Sequence, residues 1–328
     1  MRYFEKTQRI VRHAPRRRML LIVFATILVT LTQSLTAQTK RRVLMEIFST
    51  ELCNQCPQAH KNIERLFGNG GDSIIMLGHH AGFYTDDFSL PESIDYEWFY
   101  SPNRGTYAPA AMMDRTCGSD QLPNVFQDGV PMFDGSKASC LQPAYAMAAN
   151  IPAYAKVKAE VSYDAPTRLL TAKVSGYLMR QLPTVSDMRL NVFLAEDSVF
   201  TQLQSGSYGS YYHRHLARHC FTTTWGEAVA MDEDFERTYA LTLPDDWNAA
   251  KVEVIAFLTN YNPDDRNNCQ VLNATSAPAI EPGTEGIAPI RPDKEDKPHA
   301  AYNLFGQRIK AIEHKGFQIQ DGQIKIIR

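Results

Sequence analysis

Two cysteines three residues apart, Cys53 and Cys56, have the type and spacing that most clearly allow chemistry in this sequence. A thiolate at Cys53 would be the nucleophile, and Cys56, one helical turn on, would close or resolve a disulfide. Zinc sites also use paired cysteines, but a tetrahedral site needs four ligands, and His79 and His80 are the nearest additional candidates. No second cysteine pair completes such a site. We therefore expect a disulfide-type pair here, with no metal and no cofactor.

The residues around the pair predict a strand, a helix and a second strand that would position it. Residues 43–50 form an apolar run of the length of a buried strand. Residues 58–67 have apolar residues at helical spacing, glycine and asparagine at 68–71 end that helix, and residues 73–77 read as the next strand. The positive end of the helix dipole would stabilise a thiolate at Cys53. Glu46, on the first strand, would pass protons to Cys56 or be an ordinary strand-end charge.

The segment around the pair resembles a known superfamily. Residues 43–57 are similar to the active-site strand and CxxC turn of the thioredoxin superfamily, with Leu52 where thioredoxin itself has Trp and one extra residue before the motif. Residues 107–114 resemble the segment that carries the cis-proline of that superfamily, and Pro109 occupies its position. The resemblance implies that Pro109 packs opposite the cysteines and lines any substrate site.

An insertion at residues 81–106 is unusually aromatic. It has two interpretations: a small core that covers the sheet, or a ligand or peptide groove beside Cys53. The aromatic residues of this region are Phe83, Tyr84, Phe88, Tyr96, Trp98, Phe99, Tyr100 and Tyr107.

From residue 154 onward the pattern changes from helical to alternating, which predicts an antiparallel β-sandwich of about 120 residues. The predicted strands are 156–161 and 170–178, joined as a hairpin, then 188–195, 236–243 and 251–259. A histidine-rich motif stands out in this part, with His213, His215 and His219 in seven residues. It would hold a metal or, in the interpretation that we prefer, form hydrogen bonds at a turn or a domain interface.

Export is predicted by the first 37 residues. Basic residues at 16–18, an apolar run at 19–31 and the small residues that end at Ala37 form a secretory signal. The run is shorter than the ~20 residues that a membrane-spanning helix needs, although an uncleaved anchor is an alternative. No later stretch could span a membrane as a helix. The remaining chain has 27 Lys and Arg against 35 Asp and Glu, which excludes nucleic acid as the partner.

An exported chain meets an oxidising environment, in which an even number of cysteines indicates disulfides. Spacing favours three pairs: Cys53 with Cys56, Cys117 with Cys140, and Cys220 with Cys269.

The C-terminal residues predict a linker and a small β structure. Residues 277–300 are rich in proline and charge and cannot bury a core. Residues 301–328 contain the favoured hairpin turn Asp321-Gly322 before a final strand. They resemble the C-terminal sorting tail of type IX secretion cargo, and a plain hairpin extension is the alternative.

The two predicted domains together are similar to the twenty-eight-kilodalton outer-membrane-protein family over residues 40–275. The resemblance is carried by the CxxC unit, the boundary at 151–154, the histidine-rich motif and the segment 241–258 with Asp246-Trp247-Asn248. It implies a cell-envelope protein of Gram-negative bacteria, although no cysteine for lipid attachment follows the signal. The predicted fold is a thioredoxin-like α/β domain (38–152) followed by an all-β sandwich (153–276).

Two functions follow from the sequence. The first is a binding or adhesion scaffold at the outer membrane, the cell surface or the periplasm, with a protein or peptide partner and an oxidised cysteine pair. The alternative is an enzyme, a thiol-disulfide oxidoreductase that uses Cys53, Cys56 and Pro109. The residues between the cysteines, Asn54 and Gln55, do not rank oxidant against reductant.

Overall fold

The computed structural model describes residues 41–101, 107–116 and 130–281, and the backbone of four short strands between residues 301 and 327. The predicted signal, Cys117, the Asp321-Gly322 turn and residues 282–300 of the predicted linker lie outside these residues. The predicted start of the linker at residue 277 is wrong, because residues 277 and 278 end a strand that pairs with residues 253 and 254. The described chain up to residue 281 belongs to one compact unit, and the strands after residue 300 belong to a second.

The predicted strand–helix–strand unit is present, with bounds close to those expected from the sequence. β1 and β2 run parallel, with Val43 opposite Ile74, and α1 connects them. β3 then pairs antiparallel with β1, and β4 pairs with β3. The bounds are β1 Val43–Ser49, α1 Cys56–Phe67, β2 Ile74–His80, α2 Pro91–Tyr100, β3 Ala110–Met113, β4 Phe133–Asp134 and α3 Ala138–Asn150.

The second half of the unit is antiparallel. The predicted hairpin is β5 paired with β6 over their full lengths, and β12 adds to β6 to form a three-stranded sheet. The strands are β5 Ala155–Asp164, β6 Leu169–Leu178, β7 Met188–Glu196, β8 Val199–Thr201, β9 Tyr211–His213, β10 Leu216–Cys220, β11 Glu227–Ala228, β12 Phe235–Thr242, β13 Val252–Asn260 and β14 Val271–Pro278.

One large sheet runs through both halves of the unit. Its strand order is β14-β13-β7-β10-β2-β1-β3-β4, and β11 pairs with β7 beside this path. The link between the halves is β10, which pairs antiparallel with β7 and parallel with β2 through Leu216 and Gly78. The predicted boundary at residues 152–153 therefore falls inside a structure whose main sheet draws strands from both sides.

The large sheet is covered on both faces. Near β7, β13 and β14 one face packs against the three-stranded sheet, which gives the sandwich-like layers that the alternating pattern predicts. Near β1 and β3 the same face of the large sheet packs against α1 and α3. Alternate residues of β13, such as Ile255 and Phe257, face the opposite side. The uninterrupted apolar runs of β7 and β13 follow from this burial on both faces.

The aromatic insertion mainly forms core on that opposite side. Tyr96 and Tyr100 of α2 are fully buried, and they pack with Phe193 and Trp225. The predicted covering core is confirmed for these residues. Phe83, Tyr84 and Trp98 are exposed.

The second unit is a small sheet of four strands: β15 Ala301–Tyr302, β16 Arg308–Ile309, β17 Gly316–Gln320 and β18 Gln323–Ile327. β17 and β18 pair antiparallel, with Gln320 opposite Gln323, as the hairpin prediction requires.

Candidate functional site: a covered disulfide and a histidine-lined cavity

Cys53 and Cys56 form a disulfide at the start of α1, as predicted. Cys56 is the first residue of the helix, and Pro57 follows in the first turn, where its missing N–H costs nothing. Both cysteines are withdrawn from solvent, with exposed fractions of 6% and 0%. A sulfur at this position would have to become accessible before it could exchange with a partner thiol.

The segment after β8 covers the disulfide turn. The side-chain amide of Gln204 donates to the carbonyl oxygens of Thr50, Glu51 and Cys53, at 3.3, 3.3 and 2.9 Å. The backbone N–H of Ser205 donates to the carbonyl of Glu51 at 2.6 Å. This segment, residues 201–206, belongs to the second half of the chain, and we call it the covering segment.

The covering segment approaches so closely that its tip needs glycine. Gly206 has a φ of +76°, and a Cβ on it would lie 2.1 Å from the carbonyl oxygen of Asn54. At the other end of the segment, the Thr201 hydroxyl donates to the carboxylate of Glu51.

The peptide bond between Ala108 and Pro109 is cis, as the resemblance implies. Ala108 packs with Cys53 and Cys56 in one small buried cluster. The structure therefore places the two cysteines against Ala108, the residue that precedes the cis-proline Pro109.

Glu46, the fourth predicted residue, has a different set of partners. Its carboxylate accepts two hydrogen bonds from the Arg115 guanidinium, at 2.8 and 2.7 Å, and lies 3.3 Å from Nε2 of His79. Burial alone would raise the pKa of Glu46, but Arg115 and His79 lower it to about 2. Glu46 is thus a fixed anion near neutral pH rather than a proton donor.

Backbone geometry explains how Arg115 reaches Glu46. Asp114 and Arg115 have φ values of 51° and 50°, and this left-handed pair turns the chain at the end of β3. The guanidinium then lies 4.3 Å from the ring centre of Tyr96 and 5.2 Å from that of Tyr100. By strand alternation Glu46 shares the sheet face of Leu44 and Phe48, whereas α1 packs on the face of Val43, Met45 and Ile47.

The predicted pairing of Cys220 with Cys269 is wrong, because both residues are free thiols. Each sulfur is engaged locally: Cys220 donates to the carbonyl of Thr222 and Cys269 to that of Asn262. Cys140 is also a free thiol, and its predicted partner lies outside the described residues. Burial raises the pKa of all three thiols, in Cys220 to about 11, so they are poor nucleophiles.

A cavity of about 270 Å³ lies next to the disulfide helix. Its walls are α1, the α1-facing side of β1 and β2, and the histidine-rich segment at residues 210–216. Apolar side chains such as Ile47, Ile63 and Met76 form much of its surface. The predicted interface role of the histidine-rich motif fits this position, because the segment closes the space between the two halves of the chain.

Four histidines line the cavity: His60, His80, His213 and His215. Nδ1 of His60 lies 2.5 Å from the Tyr211 hydroxyl, and Nδ1 of His80 lies 2.7 Å from the Asp86 carboxylate. Burial would raise the pKa of Asp86, but the hydrogen bond and charge of His80 hold it below its ordinary value.

The histidine-rich motif is not one continuous strand. β9 ends at His213, and His215 has a φ of 51°, so the chain turns between the two histidines. His219 does not line the cavity; it packs against Phe221. Within the described part of the chain, no three His, Cys, Asp or Glu side chains are arranged to hold a metal ion.

Several residues of this region had no signal in the sequence. His60 lies in a helix whose sequence indicates only an amphipathic helix, and Gln204 lies in a polar loop with no recognisable motif. Nothing in the sequence distinguishes Arg115 from the other charged residues. The sequence indicated this part of the molecule only through the motif at 211–219, the cysteine pair and the neighbouring His79 and His80.

Comparison with known proteins gives a family for the second half of the chain. Residues 144–279 match the family of the outer membrane protein Omp28, which confirms the predicted resemblance over that segment. The protein is accordingly exported, to the outer membrane, the cell surface or the periplasm. Among the described residues, no helix has the length and apolar character to cross a membrane. None of the curated proteins matches the chain.

Solved structures also match the chain, and the first of them gives a likeness of fold. HBP35 of Porphyromonas gingivalis is 18% identical, with 88% of this chain and 97% of that chain covered and a TM-score of 0.59. A protein from Agrobacterium tumefaciens is 12% identical over 74% of this chain and 97% of its own, with a TM-score of 0.47. A domain of the outer membrane lipoprotein Omp28 from Porphyromonas gingivalis is 19% identical over 39% and 91%, with a TM-score of 0.28.

Proposed function

We propose that this envelope protein is a binding scaffold, built on a thioredoxin-like unit, whose Cys53–Cys56 disulfide is structural. The thioredoxin-like assignment is supported by the order β1, CxxC, α1, β2, by β3 antiparallel to β1 after the cis-proline, and by α3 on the side of α1. The binding assignment is supported by the cavity beside α1, which the second half of the chain completes.

The observation that carries the proposal is the burial of the disulfide under the covering segment. Disulfide exchange requires a thiolate to attack one sulfur. Gln204 and Ser205 bond to the very turn that holds Cys53, and both sulfurs lie inside a cluster with Ala108. In an exchanging enzyme this surface would receive the partner protein, whereas here the chain itself occupies it.

The proposal is tested by the reduction potential of the pair in the mature protein. The protein is equilibrated in glutathione buffers and alkylated, and the Cys53–Cys56 peptide is quantified by mass spectrometry. We expect the pair to stay oxidised, with a potential below about −300 mV, as in structural disulfides. The same titration in denaturant is the control, because the unfolded chain lacks the cover and should be reduced.

The alternative function, thiol-disulfide oxidoreductase, is favoured by one arrangement, the cis-proline beside a disulfide at a helix N-terminus. In that case Cys53 would attack the partner, Cys56 would resolve the mixed disulfide and Pro109 would line the substrate site. A potential between about −120 and −270 mV, the range of known exchange catalysts, would establish this alternative and overturn the scaffold.

The C-terminal strands have a proposed role of their own. We propose that residues 301–328 act as a sorting tail of the type IX secretion kind, since they form a small sheet in a unit separate from the rest of the chain. Deletion of residues 301–328 should leave the protein in the periplasm, as fractionation and surface proteolysis would show. Surface display of the shortened protein would contradict this role.

A further inference from the structure

His213 lines the cavity, and both of its ring nitrogens lack a hydrogen-bond partner among the described residues, whereas in His215 only Nδ1 does. The exposed fraction of His213 is 1%. The nearest carboxylate oxygen, on Glu51, is 3.8 Å from Nε2, too far for a hydrogen bond. A buried polar group without a partner costs about 1–3 kcal/mol, which a bound ligand or water that forms the missing hydrogen bond would recover.

Two imidazoles of the cavity, those of His213 and His60, offer hydrogen bonding without charge. Burial, together with the neighbouring imidazole of His80, lowers the pKa of His213 to about 2 and that of His60 to about 4. Both rings are therefore neutral at physiological pH. A neutral imidazole carries one donor and one acceptor nitrogen.

The surroundings of His213 are aromatic. Its ring centre is 4.4 Å from that of His80, 5.0 Å from that of Tyr211 and 5.4 Å from that of Phe88. Three of these four rings, together with the side chains of Ile47, Met76 and Leu216, form the walls of the space. Flat, apolar walls of this kind suit a flat, apolar ligand.

We propose that this cavity binds a small, uncharged aromatic molecule whose hydroxyl or N–H group donates a hydrogen bond to His213. The inference rests on the proposed function, in that it names the ligand class of the scaffold. The size agrees: a cavity of roughly 150 Å³ takes one benzene ring, and this cavity of about 270 Å³ has room for a ring with substituents.

Charged ligands fit the site less well. The Arg214 side chain is already engaged by Asp197 at 2.5 Å and Asn69 at 2.6 Å, so it is not available to an anion. Asp86 is engaged by His80 and by the backbone N–H groups of Glu51 and Phe88, so it is not available to a cation. Lys61 and Glu64 also line the cavity but are exposed to solvent, and the rings of His213 and His60 are neutral, so the interior of the cavity favours neutral guests.

The test uses the mature full-length protein and two probes that differ by one group, p-cresol and toluene. Binding is measured by calorimetry or by ligand-observed NMR, on the wild type and on His213→Phe. The phenylalanine keeps a ring in place and removes both unpartnered nitrogens, so the variant should fold. We expect it to bind p-cresol about three- to tenfold more weakly, the effect of one neutral hydrogen bond, and toluene no more weakly than the wild type.

His219→Phe is the matched control, because it makes the same change outside the cavity and should leave p-cresol binding unchanged. Failure of the wild type to bind p-cresol, or equal p-cresol binding by wild type and His213→Phe, would overturn the proposal. The proposal would also be overturned if the protein bound Zn²⁺ through His213 and did not bind p-cresol. These outcomes are independent of the reduction potential, so a failed ligand assignment is distinguished from a failed scaffold assignment.

Discussion

At the scale of single residues, the most consequential contact is the buried pair of Glu46 and Arg115. Removal of one member of a buried ion pair leaves the other charge without compensation, which costs about 3–5 kcal/mol. Glu46→Gln should therefore lower the free energy of unfolding by about that amount, measured by urea denaturation. Glu160→Gln, which breaks an exposed pair with Lys158, is the control and should leave the midpoint where it is. A Glu46→Gln protein as stable as the wild type would show that the pair contributes nothing.

Glu97 gives the protein a pH dependence of the opposite sign to that of most carboxylates. It is buried, it accepts a hydrogen bond from the backbone N–H of Tyr107, and burial raises its pKa from 4.5 to about 8. Between these two values the unfolded chain releases a proton that the native protein keeps, so stability falls as the pH rises from 4.5 to 8.

Glu97→Gln removes that titration and keeps a hydrogen-bond acceptor. Between pH 5 and pH 8 we expect the free energy of unfolding of the variant to rise by about 1–3 kcal/mol relative to that of the wild type. The measurement is urea denaturation at several pH values. Wild-type and variant curves that run parallel would mean that Glu97 is ionised in the native state throughout.

The structural features that the sequence predicted correctly here, the Cys53–Cys56 disulfide and the cis bond before Pro109, are local ones. Cys53 and Cys56 face each other because they are one turn apart, and Pro109 was marked by its neighbours in sequence. For Glu46 the sequence left two interpretations open, a proton relay or an ordinary strand-end charge, because its partner Arg115 lies 69 residues away. The cavity likewise joins His60 to a tyrosine 151 residues away, a contact that no local pattern can indicate.

At the scale of elements, the covering segment decides whether the disulfide is accessible, and two glycines allow this to be tested. Gly206 and Gly209 both have positive φ values, 76° and 89°. Only Gly206 touches the disulfide turn, because a Cβ on Gly209 would have nothing within 4 Å. A Cβ at Gly206 must push the segment away from Asn54, whereas a Cβ at Gly209 costs only the backbone strain common to both.

Gly206→Ala should therefore speed the reduction of Cys53–Cys56 by dithiothreitol. If the substitution weakens the contact of the covering segment by at least 1.4 kcal/mol, the rate should rise about tenfold or more. Gly209→Ala should be reduced at nearly the wild-type rate. The rates are read by alkylation and mass spectrometry in native buffer. Equal acceleration in both variants would mean that general loosening, rather than the contact with Asn54, exposes the disulfide.

Elements with a strong repeating pattern were predictable, and the covering segment was not. β5, β6, β7, β12 and β13 have the alternation or the apolar runs that identify strands, and all five were expected near their observed bounds. The covering segment has no such pattern, and its conformation depends on Thr50, Glu51 and Asn54 of the other half of the chain.

At the scale of the whole molecule, the two predicted domains share one sheet and one core. The core on the α2 side of the sheet contains Leu44 and Phe48 from β1 and Phe193 and Phe257 from β7 and β13. The sequence could not predict the shared sheet, because β10 is short, its last three residues are only partly buried, and its register with β2 consists of Leu216 opposite Gly78. Glycine at position 78 allows that approach, since a Cβ there would lie 3.1 Å from the carbonyl oxygen of Arg214.

A shared core predicts that residues on both sides of the predicted boundary stabilise the same cooperative unit. Phe48 and Phe257 are both fully buried in that core, and replacement of either by alanine should cost about 3–5 kcal/mol. We expect Phe48→Ala and Phe257→Ala to shift one common unfolding transition, followed in parallel by far-ultraviolet circular dichroism and tryptophan fluorescence. Phe83→Ala removes an aromatic ring that is 56% exposed and should leave the transition nearly unchanged. Two separate transitions, each moved by only one of the core variants, would instead establish two independent domains, because only elements that unfold together can share the loss of a single side chain.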